Sequence, residues 1–94
     1  MFILSLTYRK SNDEADRHMG PHMAWVKEGY AKGWFLASGR KVPRTGGAIL
    51  AIGDRAAIEA YVAADPFTIH DVAEYEITEL AITTAVEGLE ILKR

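Results

Sequence analysis

The segment from His22 to Phe67 contains the side chains of this chain that are best suited to chemistry. His22 opens the stretch HMAWVKEGYAKG, Ser38 and Arg40 lie in LASGRKVPRTGG, and Asp65 lies in ADPF. A histidine exchanges protons near neutral pH, and a carboxylate orients it. A hydroxyl or a guanidinium group binds a ligand oxygen. Together these residue types are typical of a small-molecule site.

His22 is predicted to lie in the first turn of a helix, where unpaired backbone amides and the helix dipole disfavour a positive ring. A neutral imidazole is the form that a general base requires. The alternative is a half-buried histidine that is hydrogen-bonded to a loop, which is the commoner situation for a single histidine. The residues alone leave both interpretations open and favour the second.

Asp65 is predicted to lie at the C-terminal end of a second helix, where the dipole disfavours a carboxylate. A donor such as the Nδ1–H of His22 would hold it there and would fix the imidazole tautomer, as in catalytic dyads. The alternative is that Asp65 and Pro66 only open a turn. The sequence does not decide whether His22 and Asp65 meet.

Ser38 and Arg40 precede a basic hairpin. Ser38 is a candidate hydrogen-bond partner of a substrate oxygen, and Arg40 is a candidate partner of a carboxylate or phenolate, although such clusters are more often solvated hairpin tips. Phe67 is expected in the core or in the wall of the pocket, in contact with substrate. His18 and His22 have i,i+4 spacing but no evident third ligand, so a zinc site is not predicted.

Composition limits the classes of protein to which this chain can belong. The chain has 94 residues, 49% of them hydrophobic, which predicts a single domain over residues 1–94. A formal net charge of -2 gives no general attraction for nucleic acid. Cysteine is absent, and no membrane span or leader is evident, so we expect a cytoplasmic protein without membrane association. Neither a cofactor loop nor a metal triad is present, so no cofactor is expected.

Periodicity predicts four strands and two helices. The polar segment RKSNDEAD is expected to be a loop, with Asp16 as the N-cap of the first helix. Gly33 is expected to end that helix, and Asp54 to cap the second. The strands are predicted at about residues 2–8, 34–42, 48–52 and 72–80, and the helices at 21–32 and from Asp54 to Pro66.

The resulting order βαββαβ indicates an α+β, ferredoxin-like fold in which both helices cover one face of a four-stranded antiparallel sheet. The other face would be mixed in character, and burial against a second copy in a twofold dimer would cover it. Residues 82–94 are expected to form an extension that packs at this dimer. The residues predicted for the uncovered face are Ile3, Ser5, Thr7, Glu74, Glu76 and Thr78.

The chain resembles the YCII-related (YciI-like) proteins over most of its length. The matching features are His22 followed by MAW, the segment LASGRKVPRTGG, ADPF and the strand AEYEITEL. The resemblance implies a dimeric α+β barrel with a cleft lined by a histidine and an aspartate. It implies that His22 and Asp65 are this pair, with Ser38 as a neighbour. A few related proteins act on hydroxylated aromatic or lactone-like compounds, which implies lyase or isomerase chemistry.

Three hypotheses follow for the function of the chain. The first is a cofactor-independent enzyme for a small cyclic or aromatic metabolite, with His22 as general base or acid, Asp65 orienting it, and Ser38 or Arg40 binding a substrate oxygen. The second is a non-catalytic module that binds a small molecule in the same cleft. The third and least favoured is a purely structural dimerisation domain.

Overall fold

Four strands and four helices form the computed structural model, which describes residues 1–94. In chain order they are β1 (Phe2–Tyr8), α1 (Asn12–Arg17), α2 (Met19–Ala31), β2 (Phe35–Arg40), β3 (Gly46–Ala51), α3 (Arg55–Ala63), α4 (Pro66–Ile69) and β4 (Ala73–Glu79), followed by a 3-10 turn at Glu90–Lys93.

The strands form one antiparallel sheet in the order β2-β3-β1-β4, which confirms the predicted α+β fold class. In the central strand β1, Phe2, Leu4 and Leu6 are buried and face the helices. The alternating positions Ile3 and Ser5 lie on the opposite face, as the period of two predicts. The helices therefore cover one side of the sheet only.

The core lies between α2, α3 and the covered face of the sheet. Trp25 and Val26 of α2 and Ile58 of α3 pack with Leu4 in one cluster of buried apolar side chains. Full burial of a side chain such as Leu4 contributes about 1.5–3 kcal/mol. A second cluster, around Phe67, joins α4 to β4 and to the end of β1.

Helix α1 corrects the prediction of a loop before the first helix. Ser11 is its N-cap, because its hydroxyl accepts a hydrogen bond from the amide of Glu14 at 3.2 Å. Serine followed three residues later by glutamate is the capping-box pattern, which indicates a helix start at this point of the sequence. Asp16 does not cap α2 as predicted; it lies inside α1 and pairs with Arg44 instead. Helix α2 accordingly begins at Met19, before the predicted residue 21.

The region after α3 also differs from prediction. The side chain of Asp54 accepts from the amide of Ala57 and caps α3, as predicted. The helix ends at Ala63, however, and Pro66 begins the short helix α4. The missing amide of a proline is tolerated at the first helical position, so Pro66 starts a helix here and does not end one.

Gly46 sets the close spacing of β1 and β3 at one end of the sheet. Its φ is 154°, and a Cβ at this position would overlap the carbonyl oxygen of Leu6. Only glycine lets the two backbones approach this closely.

The segment after β4 contains no regular element before the 3-10 turn. Several of its apolar side chains are exposed, among them Val86, Leu89 and Ile91. None of the helices has both the length and the apolar character that crossing a membrane requires.

Candidate active site

His22 and Asp65 lie in direct contact, although 43 positions separate them in the sequence. Nδ1 of His22 is 2.9 Å from Oδ1 and 3.0 Å from Oδ2 of Asp65. Asp65 is fully buried and His22 is 6% exposed. A buried carboxylate with a bond to Nδ1 favours the tautomer that carries the proton on Nδ1 and leaves the lone pair on Nε2.

The carboxylate of Asp65 accepts hydrogen bonds from two further donors. The backbone amide of Phe67 donates to Oδ1 at 3.0 Å, and the hydroxyl of Tyr75 donates to Oδ2 at 2.6 Å. Asp65 is thus the N-cap of α4, a position that favours a carboxylate. The expectation that its local position is unfavourable is wrong, because the residue belongs to the start of α4 and not to the end of α3.

Tyr75 was missed by the sequence analysis. It lies on β4, opposite Leu6 of β1, and its side chain points to the covered face of the sheet. Burial raises the pKa of its hydroxyl, and the charge of Asp65 and the hydrogen bond to it add to this shift. The phenol is therefore a neutral donor at physiological pH. Its contact with Asp65 spans 10 positions and has no local pattern by which it is recognised.

The imidazole of His22 is enclosed by aromatic rings. It stacks on Phe67 with 3.9 Å between centroids and on Trp25 with 5.8 Å. His22 is the fourth residue of α2, and its amide donates to the carbonyl of His18. His22 therefore closes the first turn of α2, as predicted, and Asp65 is its direct hydrogen-bond partner.

A pocket of about 370 Å³ lies beside His22, between α2 and the ends of β2 and β3. Nε2 of His22 makes no hydrogen bond within the chain and is not among the fully enclosed polar atoms. It therefore faces the pocket, with Asp65 behind the ring. The apolar side chains around this space include Leu6, Met19, Met23, Val26 and Ile49.

The other predicted site residues also border this pocket. Ser38 lies in its wall, and its hydroxyl is 2.8 Å from that of Tyr30. Arg40 lines the pocket and takes part in none of the ion pairs of the chain. Phe67 is only 1% exposed, so it contributes mainly the surface on which His22 stacks.

The remaining histidines lie outside the pocket lining. His18 stacks on His70 with 4.5 Å between ring centroids, and His70 is exposed. His18 is thus paired with a residue of a different element and not with His22, its neighbour at i+4.

An ion pair joins α1 to the loop between β2 and β3, near the pocket. Nη2 of Arg44 is 2.6 Å from Oδ1 of Asp16, and the guanidinium group lies 5.6 Å from the ring centre of Tyr8, which lines the pocket. The hydrogen bond from Arg44 is the main cause that lowers the pKa of Asp16.

Comparison with known proteins gives a family and a fold. The family model of the YCII-related domain matches residues 1–81. One similar solved structure is that of 5-chloro-2-hydroxyhydroquinone dehydrochlorinase (TftG) from Burkholderia phenoliruptrix AC1100, in complex with 2,5-dihydroxybenzoquinone. It superposes with a TM-score of 0.62 at 14% identity, over 85% of this chain and 93% of the other. No curated protein sequence matches the chain.

Proposed function

The chain belongs to the YCII-related domain family, and from this premise we propose that it is a cofactor-independent enzyme that moves a proton on a small cyclic or aromatic substrate. One observation carries the proposal: His22 bridges the buried carboxylate of Asp65 and an open pocket. General acid–base catalysts have this arrangement: one ring nitrogen is held by a carboxylate, and the other is free and directed at the ligand.

In the proposed reaction, Nε2 of His22 takes a proton from the substrate. The electron pair left behind moves into the ring system of the substrate, and negative charge develops on a ring oxygen. The imidazolium is stabilised by Asp65, which accepts its Nδ1–H. His22 then returns the proton to another position of the substrate, which is isomerisation. Alternatively, the electron pair expels an anionic leaving group, which is elimination, and Nε2 of His22 gives its proton to water.

The pocket suits a ligand of one ring with an oxygen substituent. Its volume is at the small end for ligand sites, and most of the side chains around it are apolar. Arg40 is the proposed partner of the developing oxygen charge, since it has no carboxylate partner in the chain, and Ser38 is a second donor at the same wall. Phe67 borders the ligand and supports the His22 ring.

A substrate screen tests this proposal. The first probe is 2,5-dihydroxybenzoquinone, because the similar structure holds it, followed by hydroxylated and halogenated one-ring compounds. We expect His22→Gln to lower kcat by about 10²–10⁴-fold on a converted compound while binding is retained. His70→Gln is the control, since that exposed ring lies outside the pocket.

Undiminished turnover in His22→Gln would overturn the proposal. Binding at the pocket without conversion of any compound by the unmodified protein would instead favour the non-catalytic binding module. If replacement of both His22 and Asp65 by alanine has no effect on the binding of any compound, the structural dimerisation domain is favoured.

We also propose that the uncovered sheet face is buried in a homodimer to which residues 82–94 contribute. This face combines Ile3 and Leu50, which pair across β1 and β3, with polar neighbours such as Ser5, and apolar side chains are exposed in the tail. Light scattering is expected to give about twice the chain mass of 10.4 kDa. In Ile3→Lys the measured mass is expected to fall to that of a single chain. A mass of a single chain for the unsubstituted protein would refute the dimer.

A further inference from the structure

Tyr75 carries a partly buried hydroxyl that has no direct part in the proposed proton transfer. It donates to Oδ2 of Asp65 at 2.6 Å, the shortest hydrogen bond of this carboxylate. Tyr75 does not line the pocket beside His22. Any influence of this hydroxyl on a ligand must therefore pass through Asp65 and His22.

The position of the Tyr75 hydroxyl is set by packing and not by Asp65 alone. The ring lies against both apolar clusters of the core, with its centre 6.1 Å from that of Trp25. Its backbone is paired with Leu6 of β1, although β4 itself lies at the edge of the sheet. The donor is thus held by the pairing of β4 with β1 and by the packing of its ring, which is the kind of support that a precisely oriented carboxylate needs.

Tyr75 and the amide of Phe67 hold the two oxygens of Asp65 separately. Phe67 donates to Oδ1 and Tyr75 to Oδ2, and both oxygens lie at nearly equal distances from Nδ1 of His22, 2.9 and 3.0 Å. Without the phenol, Oδ2 would keep His22 as its only donor, and the plane of the carboxylate would be held from the side of Oδ1 alone.

We infer that Tyr75 is a positioning residue of the site: its hydroxyl fixes the plane of the Asp65 carboxylate, and through it the Nδ1–H tautomer of His22 and the direction of Nε2. This inference rests on the proposed function, because the direction of Nε2 matters only if that nitrogen exchanges a proton with a ligand. The geometry of the pair is measurable without any ligand.

The test is ¹⁵N and ¹H NMR of the histidine rings in the whole chain, comparing Tyr75→Phe with Tyr61→Phe. Tyr61 is the matched control, since its hydroxyl also donates a short bond, 2.7 Å to the carbonyl of Trp25, but does not touch Asp65. The resonances of His18 and His70 are assigned with His18→Gln and His70→Gln. The readouts are the tautomer ratio of His22 and the exchange rate of its Nδ1 proton with water.

We expect a single Nδ1–H tautomer and slow exchange in the unsubstituted chain and in Tyr61→Phe. In Tyr75→Phe the exchange should be at least about tenfold faster, with a detectable Nε2–H population, because a hydrogen bond to a charged group has been lost. An unchanged tautomer and exchange rate in folded Tyr75→Phe would overturn the inference.

A second variant covers the case in which Tyr75→Phe does not fold. Tyrosine fluorinated beside its hydroxyl at position 75 keeps the bond and makes the phenol a stronger donor, so the Nδ1 proton of His22 should shift upfield. An unmoved resonance would contradict the inference. If the NMR result is as expected but His22→Gln leaves turnover unchanged, the proposed function fails and the geometric role of Tyr75 stands.

Discussion

The ring of His22 lies parallel to that of Phe67, with 3.9 Å between their centres and 2° between their planes. Phe67 is the second residue of α4, and Asp65, the N-cap of the same short helix, bonds the edge of the imidazole. One turn of helix therefore supplies both the surface below the histidine and the acceptor at its side. The ring of His22 is thus oriented by this turn as well as by Trp25 of its own helix.

Phe67→Ala is expected to lower the free energy of unfolding by about 3–5 kcal/mol, because it leaves a cavity under His22 in the second apolar cluster. Denaturant unfolding measures this difference. Ile69→Ala on the same helix is the control, since that side chain is 64% exposed and should change stability by about 0.5 kcal/mol or less. Similar losses in both variants would contradict the packing described for Phe67.

Tyr75 should limit stability at alkaline pH. Its folded-state pKa is raised above the ordinary value of 10.0, so its contribution to stability is complete below that pH. As pH rises above 10.0, the unfolded chain releases the proton while the folded chain retains it, and stability is lost. Absorbance titration of the tyrosines should show one phenol ionising only with unfolding. Tyr75→Phe should abolish this ionisation step. If the step persists in Tyr75→Phe, it belongs to another tyrosine.

The Asp16–Arg44 ion pair should stabilise the fold at neutral pH and not in acid. The pKa of Asp16 is lowered in the folded state, so its contribution is present above the usual value of 3.8 and is lost as pH falls through the lower folded-state value. Asp16→Asn should lower Tm at pH 7 and match the unsubstituted chain once the pH is well below 3.8. Glu87→Gln, which removes an exposed carboxylate without an ion pair, should leave Tm unchanged at neutral pH.

Two glycines of α2 should respond in opposite directions to alanine. A Cβ at Gly29 would overlap the ring of Phe35, so Gly29→Ala forces a shift of that buried ring and should destabilise by about 1–3 kcal/mol. Gly20 has open space around it, and Gly20→Ala should raise stability by as much as about 1 kcal/mol through helix propensity. Thermal unfolding of both variants decides this, and a neutral Gly29→Ala would argue against the close approach of α2 to β2.

Local patterns predicted the sheet and the main helices, and alternation in β1 also reflects which face is buried. The buried face of α2 was not predicted, because it consists of His22, Trp25, Val26 and Gly29, whereas Met23 and Tyr30 are exposed. The boundaries near the site were less well predicted. The prediction that Pro66 ends a helix is wrong, because aspartate followed by proline is equally the start of a helix. For this reason the sequence places Asp65 at a helix C-terminus, whereas it is an N-cap. The contact of Tyr75 with Asp65 depends on sheet register and helix placement together, which no local pattern contains.

The glycines at the start of β3 restrict how this pocket can diversify. Side chains at Gly46 and Gly47 would collide with the carbonyl oxygens of Leu6 and Gly39 in the neighbouring strands, so this wall is bare backbone that tolerates no substitution. Substitutions that change the shape of the pocket must therefore lie elsewhere in its lining, for example at Met19, whose side chain is flexible. The shape of the pocket can thus be altered from α2 while the contact between His22 and Asp65 stays in place.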